Sequence, residues 1–291
     1  MVTAEYFIPV GRLLAFGCVG SLLGACAEPA AADHNEVDQV VAALTSGVLG
    51  DINGDGRSDI ALTGGFTGSS PWTTLPVAFS NGDGTFGVTN LGLANFPFWA
   101  TNTGAKPVAG DFNGDGRMDI ALTGGFTGSS PWTTLPVAFS NGDGTFTVTN
   151  LGLANFPFWA TNTGAKPVAG DFNGDGRTDI ALTGGFTGSS PWTTLPVAFS
   201  NGDGTFSVTN LGLANFPFWA TNTGAKPIPG DFNGDGRTDI ALTGGFTGSS
   251  PWTTLPVAFS NGNGTFNVTN LGLANFPFWA TNTGAKPVGA Y

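Results

Sequence analysis

The chain has 291 residues, 41% of them hydrophobic, with 47 Gly, 19 Pro, 25 Phe and 8 Trp but only 10% charged residues. That composition describes a turn-rich, aromatic-cored all-β protein, long enough to bury a substantial core. Its formal charge of −11 argues against nucleic acid and anionic membrane surfaces as partners, because neither would be attracted electrostatically, and suits a cation binder.

The N-terminal segment reads as an address. Leu13–Ala25 is an apolar run behind Arg12, too short to span a bilayer and suited to the core of an export signal. It ends in Leu23-Gly24-Ala25-Cys26, which resembles a bacterial lipobox. That resemblance implies cleavage, acylation of the Cys26 thiol, and attachment to a membrane by lipid alone. The alternative is an ordinary secretory signal, and the expected location is the outer membrane, the cell surface or the medium. Cys18 leaves with a signal of residues 1–26, so at most one cysteine remains and no intramolecular disulfide is available. Residues 27–46, small and acidic, read as a flexible tether.

From Asp51 the sequence repeats every 60 residues, as units 51–110, 111–170, 171–230 and 231–290. A period of that size points to a solenoid or a propeller. In the second unit Asp119–Thr123 and Leu135–Ser140 alternate apolar and polar residues. Phe146–Asn150 and a Leu151–Leu153 segment follow, and Lys166–Gly170 leads into the next unit. Four short antiparallel strands separated by glycine-rich turns match a propeller blade, so residues 47–291 are expected to form a β-propeller of four near-identical blades. No window shows helical periodicity.

Each unit opens on D-x-N-G-D-G-R-x-D, and these four loops hold 12 of the 20 acidic residues. Oxygen ligands fall at positions 1, 3, 5 and 9, with a carbonyl at position 7 and glycine at position 6. That is the ligand order of a calcium loop, since Ca²⁺ takes six to eight hard oxygens in a flexible cage. The candidate ligands are Asp51, Asn53, Asp55, Arg57 (by its carbonyl) and Asp59; Asp111, Asn113, Asp115, Arg117 and Asp119; Asp171, Asn173, Asp175, Arg177 and Asp179; and Asp231, Asn233, Asp235, Arg237 and Asp239. The loop departs from an EF-hand in closing at position 9, with Leu62 at position 12 and strands at its flanks. The competing reading is an Asx-rich turn, but a turn alone does not need acids at positions 1, 5 and 9. A second glycine-rich stretch, Asn141–Gly144, reads as a hairpin turn and not as a metal site, because the fourth unit carries Asn263 where the others have Asp83, Asp143 and Asp203.

Strand–DxNGDGxxD–strand units of this length resemble FG-GAP (VCBS-type) repeats, the blades of integrin α-subunit propellers and of several lectins. The fuller stretches TLPVAFSNGDGTF and GDFNGDGRTDIALTGG are most similar to the Psathyrella velutina lectin family. That resemblance implies a calcium-containing propeller of about seven blades, binding terminal N-acetylglucosamine and sialylated glycans between blades. Only four units are present here, which leaves ring closure within one chain open. A compact four-blade toroid is the expectation, and a larger homo-oligomeric ring is the alternative.

Catalysis has little to work with. The units contain no His, Cys or Glu and no Tyr before Tyr291, so Ser-His-Asp and Cys-His mechanisms are absent and the expectation is a binding protein, not an enzyme. A sugar site has better material. Trp72, Trp132, Trp192 and Trp252 lie in Ser-Pro-Trp-Thr-Thr, followed by Thr73, Thr133, Thr193 and Thr253. Trp99 and its copies lie in Phe-Pro-Phe-Trp-Ala-Thr-Asn-Thr, with Asn102, Asn162, Asn222 and Asn282. An indole face stacks on a pyranose while amides and hydroxyls meet its OH groups. The competing reading packs these rings between blades, and Phe96 and Phe98 are expected there. Calcium, glycans or glycoconjugates as partners, and multivalent lectin activity make up the expectation. A non-lectin adhesion or scaffold propeller that binds protein is the alternative.

Overall fold

The computed structural model describes residues 47–283 and 285–287. The export signal, Cys26 and the tether lie outside the described residues, as does most of the last repeat of the strand that precedes the acidic loop, Lys286–Ala290.

The fold is all-β apart from one short helical turn per repeat. Four sheets follow one another, each of four antiparallel strands. The first is Gly47–Gly50, Asp59–Leu62, Thr74–Ser80 and Phe86–Gly92; the second is Lys106–Gly110, Asp119–Thr123, Thr134–Ser140 and Phe146–Gly152. The third (Lys166–Gly170, Asp179–Thr183, Thr194–Ser200, Phe206–Gly212) and the fourth (Lys226–Gly230, Asp239–Thr243, Thr254–Ser260, Phe266–Gly272) repeat the pattern. The expected four strands per unit are present, but each sheet starts one strand earlier than the acidic loop. That loop therefore joins the first two strands of one sheet, with Gly110 opposite Asp119 in the register. The expected Phe146–Asn150 and Leu151–Leu153 segments form one strand, Phe146–Gly152, paired along its whole length with Thr134–Ser140.

The sequence shows no helical period, yet Phe96–Ala100 and its copies form a single helical turn. One turn is too short to display a period of 3.6. Proline sits in its first turn, where a missing N–H costs nothing, and Asn95 enters it in the left-handed region at φ 59°, a conformation asparagine tolerates better than most residues.

Successive sheets pack through apolar clusters. Ile52, Phe96, Ile120 and Trp132 join the first sheet to the second. Phe112, Phe156, Ile180 and Trp192 join the second to the third, and Phe172, Phe216, Ile240 and Trp252 join the third to the fourth. Edge-to-face contacts of Phe112 with Phe206 and of Phe172 with Phe266 mark the same junction twice. Polar bonds repeat with the packing. Ser140 Oγ donates to Ile52 O, Ser200 Oγ to Phe112 O and Ser260 Oγ to Phe172 O, each at 2.6 Å. The N–H groups of Met118, Thr178 and Thr238 donate to the carbonyls of Asp51, Asp111 and Asp171 at 2.7 Å.

The first and last sheets leave these junctions unfinished. Phe232 is 48% exposed, whereas its counterparts Phe112 and Phe172 are 0% exposed. At the other end Phe86 is 47% and Val88 71% exposed, although their counterparts Phe206 and Val208 pack against a core. The compact four-blade toroid expected from the sequence is therefore corrected. A closed ring would bury both faces, and the four sheets instead form an open series with two uncovered ends.

Candidate functional site

The acidic loop folds around its own backbone. Asp111 Oδ1 accepts the N–H groups of Gly114 (2.7 Å) and Asp115 (3.1 Å), and Oδ2 accepts that of Gly116 (2.8 Å). Asn113 Nδ2 donates to Asp115 Oδ2 at 2.9 Å, and Arg117 Nη2 forms a short ion pair with the same oxygen. Asp119 lies beneath the loop: its Oδ2 accepts Phe112 N–H (2.9 Å) and its Oδ1 accepts Ser140 N–H (2.8 Å). One carboxylate thus ties the loop to the third strand of its sheet. The other three copies repeat this set, with Asp59, Asp179 and Asp239 in the buried position.

Burial pushes the Asp119 and Asp179 carboxyls up to about 8. The Ser and Phe N–H donors pull the other way, and the carboxylates at positions 1 and 5 add to the upward push. Asp59 and Asp239 are raised by the same first cause, burial. A buried carboxyl facing two others is in the electrostatic situation that a divalent cation relieves, and the donor set is all oxygen, as calcium requires. The residues fit calcium in kind. As they stand, no group of three or more His, Cys, Asp or Glu among the described residues is arranged to hold a metal ion, and Asp55, Asp115, Asp175 and Asp235 pair with the neighbouring arginines.

Beside this loop lies the Asn141–Gly144 stretch, which forms the hairpin between Ser140 and Phe146. Thr145 donates both its N–H (2.9 Å) and its Oγ1 (2.6 Å) to Asp143 Oδ1, which lowers that carboxyl's pKa. In the fourth repeat Asn263 Oδ1 accepts the same two bonds from Thr265. An amide oxygen serves as well as a carboxylate oxygen, as a turn role requires.

The aromatic residues gather elsewhere in each repeat. Trp132, Trp192 and Trp252 are 7% exposed and belong to the cores between sheets, so they offer no open indole face to a pyranose. Each lies against a glycine: a Cβ on Gly125 would overlap the Trp132 ring, and the backbone N–H of Trp132 donates to Gly125 O at 3.0 Å. Trp72 is partly buried in the same contact with Gly65. Thr73, Thr133, Thr193 and Thr253 are exposed. Trp99, Trp159 and Trp219 pack partly buried against the cores, whereas Trp279, at the open end, is 57% exposed.

The expected interior position holds for Phe96, which is fully buried, but not for Phe98. Phe98, Phe158, Phe218 and Phe278 are 52 to 54% exposed. They stand one after another on the helical turns, each followed four residues later by Asn102, Asn162, Asn222 and Asn282. Two residues apart on one helical turn face different directions. A helical reading of Phe-Pro-Phe-Trp-Ala, prompted by its early proline, would have separated the two phenylalanines.

Residues 45–122 match the family of FG-GAP-like repeats, a span that holds the whole first sheet and its acidic loop and reaches into the second. The chain therefore carries an FG-GAP-like repeat within an all-β, propeller-like array of 60-residue units. No curated protein matches the chain.

Proposed function

We propose that this protein is a calcium-stabilised, multivalent carbohydrate-binding protein, similar in kind to the Psathyrella velutina lectin family, and that it binds rather than catalyses. The observation that supports this reading best is the fourfold recurrence of one half-exposed phenyl ring, Phe98, Phe158, Phe218 and Phe278, each with a threonine hydroxyl bonded to its carbonyl and an asparagine four residues on in sequence. A phenyl face of this kind stacks on the apolar face of a sugar, and four weak sites on one chain give avidity without strong single contacts. This reading moves the stacking floor from the buried tryptophans to these phenylalanines.

Calcium in this reading is held by the side chains at positions 1, 3, 5 and 9 of each acidic loop, with the carbonyl at position 7. It supplies charge neutralisation and rigidity, and no reaction step. Loading it requires the carboxylate of Asp115, and of its copies, to leave the arginine it now faces. On the strength of Leu23–Cys26, the protein belongs outside the cytoplasm, lipid-anchored or secreted.

A glycan array run with calcium and with chelator tests the reading. Binding to glycans such as those ending in N-acetylglucosamine or sialic acid, lost when all four phenylalanines are changed to Ala, is the expected result. An empty array would leave the protein-binding scaffold as the better reading. Calcium should raise the melting midpoint by mass action, by about 2.7 kcal/mol of stability at one hundred times the dissociation constant. An unchanged midpoint in EDTA, with no metal by elemental analysis, removes calcium from the proposal.

A further inference from the structure

We propose that the two uncovered end faces pair with those of a second copy of this chain, so that two chains joined end to end close one ring of eight sheets. The junction between sheets is built three times inside the chain from the same parts, and each end carries one half of it. The fourth sheet presents the acceptor half: Phe232 with its ring exposed and, among the described residues, the carbonyls of Asp231 and Phe232 without the Thr and Ser donors their counterparts have, and Gly234 uncovered. Gly54, Gly114 and Gly174 lie under Arg117, Arg177 and Arg237 of the following sheet, respectively, while nothing among the described residues approaches Gly234. The first sheet presents the donor half. Arg57, Ser58, Ser80, Phe86 and Val88 occupy the places from which Arg117, Met118, Ser140, Phe146 and Val148 act one sheet later.

The fit is specific. Phe86 of the partner subunit would meet Phe232 edge to face, as Phe206 meets Phe112 at 6.0 Å. Ser80 of the partner subunit would donate to Phe232 O, and Ser58 of the partner subunit would donate its N–H to Asp231 O. The acidic loop Asp231–Asp239 keeps its internal bonds but lacks the cover that the following sheet gives its counterparts. Gly84 also has nothing within reach among the described residues, whereas Gly144, Gly204 and Gly264 lie on Thr89, Thr149 and Thr209 of the preceding sheet; Thr269 of the partner subunit would fill that place.

A head-to-tail contact makes a ring when its rotation closes and a filament when it does not. Propellers hold about four to eight blades. Two copies of these four sheets give eight, which lies within that range.

Sedimentation equilibrium on the full chain tests this. The expected mass is twice the 29.5 kDa of one chain, constant over a tenfold rise in concentration. Phe232→Asp should halve it, as should Phe86→Asp. Both residues are exposed within one chain, so circular dichroism of either variant should match the parent. Mixing the two variants should restore a one-to-one pair, because each retains the half junction that the other lacks. A parent that stays monomeric, a mass that climbs without limit, or a dimer that survives both substitutions overturns the proposal.

Discussion

The second and fourth acidic loops, Asp111–Asp119 and Asp231–Asp239, differ in sequence only at Met118 and Thr238, yet they occupy different physical worlds. The second lies between sheets: Phe112 is fully buried, Asp111 is 5% exposed and Asp119 is pushed up to about 8. The fourth lies at the open end, with Phe232 half exposed and its loop uncovered. Identical residues acquire different energies from what covers them. In a repeat protein the interface between neighbours, and not the unit, is where stability is set.

The sharpest way to break this comparison is to truncate the same ring in both places. Phe172→Ala should cost about 3 to 5 kcal/mol, as large-to-small changes in a packed core do. Phe232→Ala should cost about 1 kcal/mol or less when urea unfolding is measured on dilute, monomeric protein. If a second copy covers the open end, the cost of Phe232→Ala should grow with protein concentration. Equal costs at both positions would mean that burial between sheets is not what separates them.

A smaller effect is expected from the buried carboxylates. Asp179→Ala deprives the N–H groups of Phe172 and Ser200 of their acceptor, both at buried positions, and should cost roughly 2 to 4 kcal/mol. Asp239→Ala should cost less, because Phe232 N–H is only part-buried and water can replace the lost acceptor. The smallest difference concerns the serines. Ser200→Ala leaves Phe112 O without its hydroxyl donor and should cost about 1 kcal/mol. Ser80→Ala, measured on dilute, monomeric protein where no preceding sheet meets Ser80, should stay within about 0.5 kcal/mol, and the difference in urea midpoint measures the value of that one bond.

Much of the fold could be read from residues. Alternation in DIALT and TLPVAFS, with the Asn-Gly turn behind the latter, placed the strands because a period of two has one reading when one face is buried. The acidic loop stood out by its spacing, but the sequence did not show that its acids serve the turn itself, Asp111 by accepting the N–H groups of Gly114, Asp115 and Gly116 and Asp119 by accepting those of Phe112 and Ser140. The frame of each sheet was not, since near-identical repeats look the same wherever the cut is made; only the pairing of Gly110 with Asp119 fixes it. The tryptophans misled for a different reason. Ser-Pro-Trp-Thr-Thr looks like a loop, but Ser130–Pro131 pairs with Phe126–Thr127 as a short ribbon, and Gly125, with no side chain, lets the Trp132 ring lie against its backbone. Closure was out of reach because the property that decides it, what lies against Phe232 and Phe86, belongs to no single unit.

The hairpin and acidic loops also set how this protein ages. Asn-Gly sequences lose ammonia when the glycine nitrogen attacks the asparagine amide, and the chain has nine of them. In eight, the glycine N–H is held in a hydrogen bond: Gly54, Gly114, Gly174 and Gly234 donate to the first Asp of their loops, and Gly82, Gly142, Gly202 and Gly262 to the serine before the hairpin. Those nitrogens are restrained from cyclising while the fold persists. The ninth, Asn263-Gly264, has no such bond among the described residues, so it is where deamidation should begin. The succinimide formed there opens to a mixture of isoaspartate, which lengthens the backbone by one carbon, and aspartate, the residue that Asp83, Asp143 and Asp203 already supply. The aspartate fraction brings the fourth repeat into line with its neighbours, while the isoaspartate fraction kinks the turn that Asn263 and Thr265 hold.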